Sequence, residues 1–93
     1  MPAVTIRLHG AFAEFAGGRR ASVEAETVGG ALAALVERYP ALRERLRDEH
    51  GALREHVAVF ANEDEMGTRE GERTPLREGD VVHIIPALSG GRI

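Results

Sequence analysis

The chain opens with Val4, Ile6 and Leu8 alternating with Thr5, Arg7 and His9, a period of two that predicts a strand with one face on a core. From Gly10 to Gly18 a small apolar turn carries Ala11, Phe12, Phe15 and Ala16 and ends in Gly17-Gly18. Ala21, Val23 and Ala25 then alternate with Ser22, Glu24 and Glu26, so the turn reads as a hairpin into a second strand. Thr27 suits a helix N-cap, and Val28, Ala31, Leu32, Leu35, Val36 and Tyr39 recur at helical spacing until Pro40 stops the run. Gly29 and Gly30 weaken the start of that helix through backbone entropy, and Gly30 occupies the place of a capping-box Glu.

Residues 41–50 read as a charged helical extension, anchored only by Leu42 and Leu46 and otherwise a solvated face. Val57 to Ala61 fits a third strand, Asn62-Glu63-Asp64-Glu65 a turn, and Met66 to Glu70 a short fourth strand. Thr74-Pro75-Leu76-Arg77-Glu78-Gly79-Asp80 forms another turn, and Val81-Val82-His83-Ile84-Ile85 is the strongest strand signal in the chain. Its continuous apolar character predicts a central strand covered on both faces. The order of strands and helix predicts a mixed sheet with the main helix packed on one face.

At 93 residues the chain fits one small domain, and its 43% hydrophobic and 29% charged content is that of a globular protein. The absence of Cys excludes disulfides, thiolate metal sites and a Cys nucleophile. A net charge of -3 argues against general nucleic-acid binding. All twelve basic residues are Arg, so there is no Schiff-base amine, phosphate-loop lysine or side-chain isopeptide acceptor. The N-terminus lacks the pattern of a signal peptide and no run is long enough to span a bilayer, which leads us to expect a soluble cytoplasmic protein without a membrane partner. His9, His50, His56 and His83 show no metal-ligand spacing, the acidic residues suit turns and exposed strand faces, and the glycine pairs lack phosphate-loop spacing. We therefore expect no metal, no bound cofactor and no catalytic residue.

After Ile85 comes Pro86-Ala87-Leu88-Ser89-Gly90-Gly91-Arg92-Ile93. Pro86 removes a strand donor and the two glycines favour a thin arm. The landmarks in order are the Gly10 to Gly18 turn, Thr27-Val28-Gly29, Arg38-Tyr39-Pro40, Val59-Phe60-Ala61-Asn62-Glu63, Thr74 to Asp80, and the last strand followed by Pro86 to Gly91. In this order and spacing the sequence resembles the MoaD/ThiS family of sulfur carriers, and the resemblance covers nearly the whole chain. It implies an α+β, ubiquitin-like β-grasp fold, with a mixed sheet of four to five strands and one main helix on one face. Residues 1–86 would form the domain and residues 87–93 a flexible diglycine tail with a two-residue extension.

The resemblance further implies a carrier acted on by other proteins, rather than an enzyme. Gly91 would be the activated terminus, with Leu88, Ser89 and Gly90 lying in a partner's channel. The activating partner would resemble ubiquitin-activating enzymes and use ATP to make an acyl-adenylate, because a carboxylate is a poor electrophile. Sulfur would displace AMP to give a thiocarboxylate. A synthase would then take the sulfur for molybdopterin, thiamine, a tRNA base or an amino acid, and nothing in the chain selects among these.

Arg92 and Ile93 follow the second glycine, so the Gly91 carbonyl is held in an amide, and the resemblance implies a JAMM-type metalloprotease that removes them. On the last strand, Val82 and Ile84 would face the helix, leaving Val81, His83 and Ile85 on the other face. That face is expected to dock the activating enzyme, with Arg7 and His9 at its rim because the family fold pairs the first and last strands. Coverage by the chain's own loops or by a second copy is the competing expectation for it. Two further classes stay open: a modifier joined through Gly91 to target lysines, and a non-covalent subunit whose tail is unused.

Overall fold

The computed structural model describes residues 1–66 and 71–86. Strand β1 (Ala3–Leu8) leads through a short helix α1 (Ala11–Phe15) to β2 (Arg20–Glu24), and helix α2 (Val28–Arg38) follows. A 3₁₀ turn at Pro40–Leu42 runs into the single-turn helix α3 (Arg43–Leu46), then come β3 (Val57–Ala61), β4 (Asp64–Glu65), a second 3₁₀ turn at Gly71–Arg73, and β5 (Val81–Pro86). The five strands form one sheet in the order β2-β1-β5-β3-β4. β1 pairs parallel with β5, and the other neighbours are antiparallel.

The strand alternation does the work expected of it. Val4, Ile6 and Leu8 of β1, Ala21 and Val23 of β2, Val82 and Ile84 of β5, and Val57, Val59 and Ala61 of β3 are buried on one side of the sheet. They meet Val28, Ala31, Leu32, Leu35 and Val36 of α2 in a single cluster, and removing this apolar surface from water is the main favourable term in folding. Thr27 caps α2 by accepting from the Gly30 amide at 3.1 Å, which compensates in part for the two glycines of the first turn. The Thr74–Leu76 segment straps this end of the helix: the Val28 amide donates to the Thr74 carbonyl and the Leu76 amide to that of Glu26.

Four expectations are corrected. The Gly10 to Gly18 turn contains the helix α1, which buries Phe12 in the core cluster. The extension expected over 41–50 is helical only as far as Leu46, through the 3₁₀ turn and α3; Arg47 is extended, with φ −124° and ψ 148°, and bridges to Leu53. Its two leucines nevertheless anchor it, for both Leu42 and Leu46 are 0% exposed. The fourth strand is Asp64–Glu65, earlier than expected, because Asn62 turns the chain at φ 57° and starts the return at once; of the predicted Met66–Glu70 strand, residues 67–70 lie outside the described residues. Finally, β5 is central but covered on one face only. Val82 and Ile84 are fully buried, whereas Val81, His83 and Ile85 are half-buried. An apolar run cannot distinguish strands with two covered faces from a strand whose open-face side chains shelter one another laterally.

A bidentate ion pair joins the loop after α3 to the second 3₁₀ turn, with Arg47 Nη2 to Glu72 Oε1 at 2.7 Å and Nη1 to Oε2 at 3.1 Å. It fastens the long connection between α2 and β3 to the segment that crosses the helix start.

Candidate functional site

The described chain ends at the centre of the sheet, on β5. Pro86, the last residue of β5, is paired with Val57 on one side. On the other side Gly10 lies against its ring, so closely that a Cβ at position 10 would fall 2.7 Å from the Pro86 Cγ. Gly10 has φ 61° and ψ −141°, a conformation open to glycine and costly for other residues. Position 10 is therefore glycine for two reasons: the backbone turns there, and the proline at the base of the tail needs the space. Leu88, Ser89, Gly90, Gly91, Arg92 and Ile93, expected to form the tail and its extension, lie outside the described residues.

The five residues expected on the docking face come together. In the parallel ladder Arg7 stands opposite His83 and Thr5 opposite Val81, and directly opposed residues project to the same face. Ile85 lies two residues beyond His83 on that face, and His9 reaches back to it, with its Nε2 3.2 Å from the His83 Nδ1 and the ring centroids 5.4 Å apart. One imidazole donates and the other accepts, so the contact survives with one excess proton on the pair but not with two. Burial holds the His83 pKa below its ordinary value, and the nearby His9 and Arg7 charges push the same way.

Two parts of this face were missed in the sequence. Phe60 of β3 stands opposite His83, and Ala58 opposite Ile85; both are half-buried on the open side while Val57, Val59 and Ala61 are buried beneath. Arg20 of β2 stands opposite Arg7. The alternation in Val57–Ala61 carried a faint signal for Phe60, but the register that brings these residues together is a property of the sheet. Among the described residues no three His, Asp or Glu side chains gather in a way that could hold a metal ion, and no helix is long and apolar enough to cross a membrane.

The fold and the tail region have known counterparts. The sulfur carrier protein CysO of Mycobacterium tuberculosis is 30% identical over 91 residues, covering 95% of this chain and 98% of its own. The small archaeal modifier protein 1 of Haloferax volcanii is 38% identical over 88 residues, covering 91% and 97%. A crystal structure of SAMP1 from Haloferax volcanii superposes with a TM-score of 0.83 at 33% identity, over 96% of this chain and 99% of that one. The architecture is thus the ubiquitin-like β-grasp, and these relatives are small carrier and modifier proteins. The model of the ThiS family matches residues 6–91, from the middle of β1 to the second glycine of the pair. With sheet order, helix packing and diglycine position all agreeing, the chain belongs to the ThiS family.

Proposed function

We propose that the protein is a sulfur carrier whose working terminus is Gly91. The observation that carries this reading is the family match through Gly91, in a segment that follows directly on the central strand. Hydrolysis of the Gly91–Arg92 amide by a JAMM-type metalloprotease would consume one water and release the Arg92-Ile93 dipeptide, leaving a free Gly91 carboxylate. An adenylating partner would join that carboxylate to AMP with loss of pyrophosphate from ATP. A sulfide-level nucleophile would then attack the acyl carbon and expel AMP, forming the thiocarboxylate. The chemistry belongs to the partners and takes place where ATP is supplied, in the cytoplasm. This chain contributes the substrate carbonyl and the surface by which it is held.

The geometry of the tail base fits that division of labour. Residues 87–91 number five, and fully drawn out they span at most about 18 Å. A partner that grips the sheet must therefore hold its reacting groups within that distance of Pro86. Leu88, Ser89 and Gly90 would lie extended in a narrow channel of the partner, which a glycine without a Cβ suits. Arg7, His9, Val81, His83 and Ile85 would form the grip. A sulfur-accepting synthase would use the same face in turn, receiving the sulfur for a molybdopterin or thiamine precursor, a tRNA base or an amino acid.

The intact mass of the protein from its native cells tests the reading. Loss of Arg92 and Ile93 together with one sulfur in place of one oxygen is the expected result. Persistence of the full chain with no shortened form would overturn it. A second reading, in which Gly91 is joined to lysines of other proteins, is favoured by the 38% identity to small archaeal modifier protein 1. Its signature is an isopeptide-linked Gly-Gly on cellular proteins, and the two readings are compatible in one protein.

A further inference from the structure

We infer that the open face of the sheet selects a partner bearing an acidic patch beside an apolar one, and that Arg7 and Arg20 are the residues that read the acidic patch. The inference rests on the docking role proposed above and adds the chemistry of the surface that docks. It starts from register. One transverse row crosses all five strands: Arg20 opposite Arg7, Arg7 opposite His83, His83 opposite Phe60, and Phe60 opposite Glu65. Opposed residues share a face, so the row passes from two guanidinium groups through an imidazole and a phenyl ring to a carboxylate. In the next row toward the tail, Ile85 lies beside Ala58 and extends the apolar part.

Two arginines directly opposite one another repel, and such a pair costs a folded sheet stability. In a chain of net charge -3 with fifteen Asp and Glu, a carboxylate within reach would have relieved that cost. Among the described residues none does: the ion pairs there are Arg47–Glu72 and His50–Glu49. The carboxylate of β2 on this face, Glu24, is opposite Ala3 at the far end of the strand. Because β1 runs parallel to β5, the arginine pair sits at the end of the sheet from which the tail departs. An acidic patch on the adenylating partner would remove the repulsion, and the gain would be realised only in the complex. It would also fix orientation, since a partner turned end for end would set its acidic patch against Glu24. Long-range attraction of this kind acts chiefly on the association rate and weakens with salt.

The test uses the full-length protein and the adenylating enzyme from the same cells, with affinity and association rate measured from low to high salt. Arg7→Gln combined with Arg20→Gln is expected to lower affinity at low salt at least tenfold and to flatten the salt dependence. The midpoint of urea unfolding is expected to stay level or rise, because a repulsion has been removed. A fall in that midpoint would assign the arginines to the fold and overturn the inference. Ile85→Asp separates the two levels of the argument. Should it abolish binding while the arginine double variant binds as the parent does, the docking face stands and charge selection falls. Should it bind unchanged, the docking reading itself falls, and the inference with it. Salt-sensitive self-association that disappears in the double variant would assign the corner to a second copy of this chain and overturn the partner proposed here.

Discussion

The contact between Gly10 and Pro86 makes a separable prediction about how firmly the base of the tail is held. Gly10→Ala meets two obstacles. The backbone at φ 61° and ψ −141° is a region that costs a non-glycine residue about 1–3 kcal/mol. The new Cβ would also stand 2.7 Å from Pro86 Cγ and 3.4 Å from its Cδ, and overpacking of that kind adds about 1–3 kcal/mol. A total of about 4 kcal/mol, within a range of about 2–6, is expected. Gly17→Ala supplies the control, because Gly17 also has positive φ, 70°, yet nothing lies within 4 Å of a Cβ there. It should lose only about 1 kcal/mol, the cost of left-handed backbone. Pro86→Ala removes Cγ and Cδ and leaves Cβ, which is 4.0 Å away. The double variant Gly10→Ala, Pro86→Ala should therefore recover the overpacking part, giving a coupling of about 1–3 kcal/mol in a double-mutant cycle. Urea unfolding followed by far-UV circular dichroism measures all four proteins. Equal losses for Gly10→Ala and Gly17→Ala, with no coupling to Pro86, would refute the claim that position 10 makes room for the tail base.

Leu42→Ala or Leu46→Ala should each cost about 3 kcal/mol in the same assay, as deletion of fully buried leucines does, whereas Glu49→Ala in the loop beyond should lie within about 0.5 kcal/mol of the parent. Thr27→Ala should lose about 1 kcal/mol by uncapping α2. His83 gives stability a pH dependence of known sign: its folded pKa lies below the ordinary value of 6.5, so the unfolded chain binds the proton more readily. Its contribution is complete above the unfolded pKa and is lost as pH falls below it, levelling once the folded group titrates too. The groups around it are His9, Arg7 and Arg20 on the β1–β2 side and Glu65 beyond Phe60. Urea midpoints between pH 8 and pH 5 should fall less in His83→Gln than in the parent; an equal fall would discard this assignment.

Much of the architecture is legible in local patterning. Val4, Ile6 and Leu8 set a face, the 28–36 spacing sets a helix, and Thr27 marks its beginning, because these depend on side-chain periodicity within one element. What stayed hidden depends on distant parts of the chain. Arg47 leaves the helical path to bridge Leu53 and to grip Glu72, and nothing in the 41–50 charge run announces either partner. The open face was half legible. Alternation on β5 gave Val81, His83 and Ile85, and the family resemblance set Arg7 and His9 beside them, while Arg20 and Phe60 joined them only through registers that no single strand encodes. The diglycine was visible at once because its meaning lies in order along the chain.

The parallel pairing of β1 with β5 bears on how the protein comes to be made. The strand translated near the beginning and the strand that leads into the tail are neighbours at the middle of the sheet. A nascent chain that stops short of β5 leaves β1 and β3 with no strand between them, so the sheet cannot close until nearly every described residue has emerged. Such distant pairings slow folding, because loop closure precedes the contacts that compensate for it. They also make it all-or-none in this respect. Any molecule that displays the complete open face has been synthesised at least through β5, and a truncated product lacks the row that Arg7, His83 and Phe60 form across the sheet.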